Sequence, residues 1–253
     1  MTGGSGRDYR RLERIAMRAW PCFETIEYDG WVLRFADGYT KRANSVNPHF
    51  GSSLPLAEKV AACERVYAEH GLPTIFRLTG FSEPAGLDEA LDDAGYTTFD
   101  QTLVYVGLPR RIETGRRRAV RRVGLPEWLL GFDRLKPLEP TRRAAHHRIV
   151  ASSEGRPFHA TIENAGIPIA CGLGLLVEDA VGLFDLHVDE SHRRRGYATA
   201  IVEAILDWAA VEGGKTAYLQ VHRRNDAARA LYRGFGFEMA YPYWYRIAPP
   251  PRV

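Results

Sequence analysis

Arg193-Arg194-Arg195-Gly196-Tyr197-Ala198 is the stretch on which the reading of this chain turns. It has the form R-x-x-G-x-A. An apolar segment, Val181-Gly182-Leu183-Phe184-Asp185-Leu186-His187-Val188, precedes it and reads as a strand. A helical pattern follows, in which Ile201, Ile205 and Trp208 share a face with Val202, Leu206 and Ala209. A strand, a basic glycine turn and a helix in that order make an anion cradle. Small residues let the backbone approach a phosphate. Amides at a helix start point toward it, and the helix dipole favours its charge.

Composition sets wider bounds. The chain has 253 residues, 45% hydrophobic and 26% charged, as in an ordinary globular protein. A formal net charge of +3 gives no reason to invoke nucleic acid. Thirty arginines stand against four lysines. Arginine forks suit phosphate and carboxylate, although codon bias produces the same skew. The three cysteines, Cys22, Cys63 and Cys171, lie far apart and show no metal spacing. Their odd number, without a signal peptide, points to a reducing cytoplasm. No apolar run reaches the roughly 18 residues that span a membrane. Met1 to Gly6 is Gly/Ser-rich and reads as disordered.

A faint internal repeat appears at a shift of 141 residues, which lays Gly95-Tyr96 on Gly236-Phe237. The same shift superposes the helical stretches Leu56–His70 and Tyr197–Val211, and the strands near Phe76 and Leu219. Two related α/β units follow, residues 1–108 and 125–253. Between them, residues 109–124 carry seven arginines with little apolar periodicity and read as a solvated linker. In the first unit the pattern predicts a helix over Asp8–Ala19 and a hairpin pairing Trp31–Phe35 with Thr40–Ala43 through Asp37-Gly38. In the second it predicts a strand at Trp128–Phe132, a helix at Thr141–Ser152 and a hairpin around Asn164-Ala165-Gly166. The sheet is expected to be mixed, an α/β (α+β) arrangement.

The order strand, R-x-x-G-x-A, helix, strand, Asn225-x6-Tyr232, Gly234-Phe235-Gly236-Phe237 resembles the GNAT superfamily of acyl-CoA-dependent N-acyltransferases. The likeness covers Trp128–Arg246. The first unit, with Ala19-Trp20-Pro21 and Arg42-Ala43-Asn44-Ser45-Val46-Asn47-Pro48, looks like the leading half of tandem GNAT proteins. The resemblance implies acetyl-CoA as co-substrate and no metal. Its pyrophosphate would sit on amides from Arg194, Arg195, Gly196, Tyr197, Ala198 and Thr199, with Arg193 adding charge. The pantetheine arm would pair with Leu186, His187 and Val188 as an added strand. The Val188 N–H would polarise the thioester carbonyl. Asn225 would contact the coenzyme, although its plain reading is a helix N-cap.

In such chemistry an amine attacks the thioester directly. A free amine of pKa ~10 must first lose a proton, and the departing thiolate benefits from gaining one. Tyr232 matches the family's general acid. The base is open, because Phe184 stands where many relatives carry Glu. Asp185 and His187, two apart on one strand, are candidates, with Glu190 and His222 behind them. Cys171 reads as core. In the first unit the shift lays Ser52–Ala57 on the cradle, Pro84 on Asn225 and Leu91 on Tyr232. That unit is therefore expected to bind no coenzyme A in this mode and to help wall the acceptor site, with Arg34 and Arg42–Asn47 as candidates. The expected acceptor is a small-molecule primary amine, with a peptide N-terminus or lysine as the alternative. A non-catalytic acyl-CoA sensor is the rival class. Nucleic acid is not expected as a partner; monomer and homodimer are both open.

Overall fold

Why one half of this chain needs the other is visible in the strand order. The structure, a computed structural model, describes residues 6–51, 53–112 and 120–249. The leading half runs α1 (Gly6–Ala19), β1 (Glu24–Tyr28), β2 (Trp31–Phe35), β3 (Val46–Asn47), α2 (Leu56–Glu69), β4 (Ile75–Thr79), α3 (Leu87–Asp93) and β5 (Thr97–Gly107). The trailing half runs β6 (Arg121–Arg122), α4 (Leu125–Leu135), α5 (Pro140–Ala151), β7 (Arg156–Asn164), β8 (Ile167–Val177), β9 (Ala180–Val188), α6 (Tyr197–Val211), β10 (Thr216–His222), α7 (Asp226–Gly234) and β11 (Glu238–Ile247). Among the described residues the strands form one mixed sheet, ordered β1-β2-β3-β4-β11-β5-β10-β9-β8-β7-β6. The pairs β3–β4 and β9–β10 are parallel and the rest antiparallel.

Elements recur at the 141-residue shift: α2 opens at Leu56 and α6 at Tyr197, β5 at Thr97 and β11 at Glu238. The final strands, however, cross over. β5 pairs with β10, and β11 pairs with β4, while β5 and β11 pair with each other at the centre. One face of the sheet is covered by α1, α4 and α5, which share a single apolar cluster. On the other, α6 and α7 cover the trailing half and α2 and α3 the leading half.

The position of α6 depends on two glycines of β8. A Cβ on Gly172 would meet Ile201 Cγ2 at 2.5 Å, and one on Gly174 would meet Ile205 Cγ2 at 2.6 Å. Bare backbone there lets the helix seat its isoleucines directly on the strand. Gly172→Ala is expected to cost ~1–3 kcal/mol by overpacking, as read from denaturant unfolding.

Two sequence expectations are corrected. Trp128–Phe132 is not a strand but the middle of α4. Pro126 occupies its first turn, where the missing N–H is no loss. Trp128 and Phe132, four apart, are buried while Leu130 is 73% exposed, the signature of a helix face. The predicted hairpin partner of Trp31–Phe35 is also wrong. β2 pairs with β1 through a turn at Asp29-Gly30, both at positive φ (43° and 83°), and with β3 on its other side. Lys41–Ala43 instead forms a 3₁₀ turn. Asn44 holds it: Oδ1 accepts from the Ala36 and Gly38 amides at 2.7 and 3.0 Å, and Nδ2 donates to Thr40 O at 2.8 Å. The helix expected over Asp8–Ala19 begins at Gly6, and Met1–Ser5 lie outside the described residues. Of the arginine-rich stretch 109–124, residues 113–119 lie outside the described residues, and Arg121–Arg122 form an edge strand on β7.

Candidate active site

Helix α6 begins immediately after Gly196, whose φ of 80° is left-handed. No side chain caps this helix and no acidic residue occupies its first turn. Arg194 is also left-handed, at φ 62°. Arg193 pairs with Glu190 at 3.0 Å, whereas exposed Arg194 and Arg195 show no ion pair among the described residues. Half-buried Tyr197, Ala198 and Thr199 form the first turn. The positive end of the helix dipole and two arginines without an ion pair among the described residues thus meet at one solvent-facing turn.

The corresponding turn of the leading half is different in kind. There the Asp29 carboxylate accepts from the amides of Ser53 (3.0 Å) and Leu54 (3.0 Å) and from Ser53 Oγ (2.7 Å), just before α2. The Leu54 amide and the Ser53 hydroxyl hold its carboxyl well below the usual range. Lys59, fully buried where α6 has Ala200, pairs with the same carboxylate at 3.2 Å. The protein supplies its own anion at that helix start. Ser52, the first residue laid on the cradle, lies outside the described residues.

Beside α6 the sheet opens. β9 and β10 pair from Ala180↔Thr216 to Leu183↔Leu219, and no further. β9 continues to Val188 and β10 to His222 as separate edges. A register shift opposite Cys171–Leu173 puts a bulge in β9, with Asp185 at φ 47°. The Asp189 N–H donates to Ile169 O on β8 at 2.9 Å. Val188, facing Ala170, is therefore a non-hydrogen-bonded pair, and its N–H points away from β8 into the opening. A cavity of about 300 Å³ fills this opening, walled by Leu183–His187, Gln220–His222, Asn225, Ala228, Tyr232 and Arg42.

Tyr232 sits on α7, buried, and its hydroxyl has no hydrogen-bond partner among the described residues. Burial pushes its pKa up to about 12, so the phenol keeps its proton. Asn225 caps α7, its Oδ1 accepting from the Ala228 amide at 3.1 Å, and reaches the same cavity. His187 meets the edge of Phe132 at a centroid distance of 5.4 Å. Burial lowers its pKa, with the Asp185 charge opposing. Asp185 Oδ2 accepts from His146 Nε2 at 2.9 Å. His146, on α5, is fully buried and stacked on Phe132 at 4.1 Å. No local pattern singles out His146, since its partner is 39 residues away. Leu186 and Val188 pack at the edge of the α6 cluster. Cys171 is buried and burial drives its thiol pKa up.

The other candidates divide. Arg42 reaches the cavity: its Nη1 donates to Gln220 Oε1 at 2.9 Å. Arg34 does not; it is 2% exposed and spends its guanidinium on the carbonyls of Arg42 (2.9 Å), Trp20 (2.7 Å) and Met17 (3.1 Å). Its place inside β2 points it at the end of α1, so it braces the Arg42 turn instead of facing a ligand. Asn44 and Asn47 are likewise consumed by local backbone. His222 lines the opening with Asp100 Oδ1 at 3.6 Å, whereas Glu190 stays outside on Arg193. Among the described residues no helix is long and apolar enough to cross a membrane, and no cluster of three or more His, Cys, Asp or Glu could hold a metal.

An uncapped basic helix start beside a splayed parallel strand pair defines an N-acetyltransferase of the GNAT superfamily, and the comparisons agree. The chain belongs to the family described as "Probable histone acetyltransferase Rv0428c C-terminal", whose model matches residues 7–246. It is 30% identical over 247 residues to the uncharacterized N-acetyltransferase YobR of Bacillus subtilis (strain 168), covering 95% of this chain and 98% of that one. It is 33% identical over 91 residues to the ribosomal protein bS18-alanine N-acetyltransferase of Escherichia coli (strain K12), covering 36% of this chain and 62% of that one. In fold it is similar to a GCN5-related N-acetyltransferase from Kribbella flavida, with a TM-score of 0.72 at 16% identity over 96% of each chain. A tandem GNAT protein from the clavulanic acid biosynthesis pathway superposes with a TM-score of 0.62 at 12% identity, covering 98% of this chain and 97% of that one.

Proposed function

We propose that this acetyltransferase moves an acetyl group from acetyl-CoA to the primary amine of a small molecule, by direct attack in a ternary complex. The working centre lies in residues 125–253; residues 1–108 wall the acceptor side. The observation that carries this reading is the adjacency of an uncapped α6, an unpaired β9 edge and the partnerless Tyr232 hydroxyl. The fit to an acyl-CoA is chemical: charge and dipole for the diphosphate, a strand edge for the pantetheine amides.

The residues then have separate tasks. The turn Arg193–Thr199 holds the diphosphate, and Asn225 contacts the arm that enters the opening. The Val188 N–H donates to the thioester carbonyl oxygen as negative charge grows there. His187, kept neutral by burial, accepts the proton the ammonium must lose, and Asp185, set by His146, orients that ammonium. As the C–N bond forms and the C–S bond breaks, Tyr232 donates its proton to the departing sulfur. The amide nitrogen's second proton restores the Tyr232 phenol, and the proton held by His187 leaves to solvent through the open cavity.

Purified protein should bind acetyl-CoA in a calorimeter and release thiol with some member of a primary-amine library. Absence of affinity for acetyl-CoA would overturn the reading. Because burial moves the His187 pKa below its ordinary 6.5, the acid limb of kcat/KM is expected to fall below pH 6.5. It should vanish in His187→Gln, and an unchanged limb would remove His187 as the base. A second acceptor, the α-amine of a protein N-terminus, is favoured by the 91-residue match to the bS18-alanine enzyme. An N-terminal alanine peptide in the same library tests it.

A further inference from the structure

We infer that the acceptor is an amino carboxylate, an amine carrying a carboxylate that seats on Arg42. This rests on the acetyl-transfer reading above and deepens it. The Arg42 guanidinium is held from every side yet lacks an anion. Its Nη1 donates to Gln220 Oε1 at 2.9 Å, and the same oxygen accepts from Tyr243 Oη at 2.9 Å, which fixes the amide. Its Cζ lies 4.9 Å from the Trp20 ring centroid and 5.5 Å from that of Phe184. Its own carbonyl accepts from buried Arg34 at 2.9 Å, so the backbone is pinned as well. Among the described residues it pairs with no carboxylate, and its Nε is buried without a partner. A cation with five donors, walled by aromatic rings and given one neutral acceptor, is a site short of an anion.

Its position says what that anion belongs to. Arg42 stands between the 300 Å³ cavity and a second one of about 220 Å³ that reaches Thr40, Asp100, Thr102 and Tyr245. Gln220 and His222 line both. Lys41 pairs with Asp100, which also lies 3.6 Å from His222, and Asp185 accepts from His146. Buried Arg34 is already engaged by three carbonyls, which leaves Arg42 as the cation on this wall with donors to spare for an incoming carboxylate. The planar fork of arginine fits the two carboxylate oxygens. Asp185 and His187 line the same cavity as Arg42 and would receive the ammonium end.

The test is a panel of matched pairs assayed by thiol release with acetyl-CoA: glycine, β-alanine and 4-aminobutyrate, each against its carboxamide. At least one carboxylate should exceed its amide in kcat/KM by ~10–100-fold, the value of a hydrogen-bonded charge pair. Arg42→Gln should collapse that ratio to within about threefold, and Arg42→Lys should keep an intermediate ratio, since charge survives without the fork. Amides used as well as carboxylates, a neutral-ended peptide preferred over all of them, or a ratio unchanged in Arg42→Gln would overturn the assignment. Acetyl-CoA affinity is scored separately by calorimetry. Intact affinity with no use of any carboxylate sinks the acceptor assignment alone, whereas no affinity sinks the acetyl-transfer reading beneath it. The wild-type pairs decide the matter even if a variant fails to fold.

Discussion

Tyr232→Phe is expected to lower kcat by ~10²–10⁴-fold while leaving acetyl-CoA affinity close to that of the parent. The side chain is buried on α7, and burial alone raises its pKa to about 12. Such a phenol remains a proton donor throughout the working pH range and is available to a sulfur leaving as thiolate. Phenylalanine keeps the ring, its contact with Phe237 (centroids 6.0 Å apart) and the packing of α7. The lost hydroxyl has no partner among the described residues, so no other group is stranded and stability should change little. Thiol-release kinetics and calorimetry on the same preparation separate the two effects. A variant within a few-fold of the parent kcat would show that the proton comes from elsewhere.

The second large effect is expected at Gly196. Gly196→Asp should weaken acetyl-CoA binding by ~10²–10³-fold, through a left-handed backbone position and a misplaced negative charge. Gly196 holds φ 80°, where a side chain costs about 1–2 kcal/mol, although Asp tolerates it better than most. More important, a carboxylate at the start of α6 would compete for the amides that the proposed function assigns to the diphosphate. The leading half already shows this outcome, with Asp29 seated on the Ser53 and Leu54 amides. Gly196→Asn, similar in shape and uncharged, separates strain from charge: it should lose clearly less affinity. Equal losses in the two variants would make backbone geometry the whole cause.

What could be read from the sequence was what is local. The turn Arg193–Ala198, the helix after it and the cap at Asn225 are each written in a few adjacent residues, and the structure has each where the pattern puts it. Short apolar runs were misread. Trp128-Leu129-Leu130 has no period long enough to tell strand from helix, and only Phe132 four residues on gives α4 away. Asp37-Gly38 does form a turn with positive φ, but Asn44 diverts the chain into a 3₁₀ turn before a strand can return. Long-range features were out of reach. The bulge that aims Asp185 is a matter of register with β8, and His146 meets it only because α5 packs over that strand. Arg34 stands among the acceptor-site candidates in the sequence because nothing in β2 shows that α1 ends on it. Asp29 as an internal counter-ion needs the β1–β2 turn and the start of α2 in one place.

The crossed final strands bear on how this enzyme can be made and dissected. β10, one wall of the opening, takes its second neighbour from Thr102–Gly107 of the leading half, and β4 takes its own from Tyr243–Ile247 of β11. A gene fragment encoding residues 125–253 would leave a raw edge along Ala217–His222 and a surplus strand seeking a partner. During synthesis, β4 must wait for β11, and β5 for both β10 and β11, before their ladders close. Two fragments expressed together could complement each other, but neither would be an enzyme in isolation.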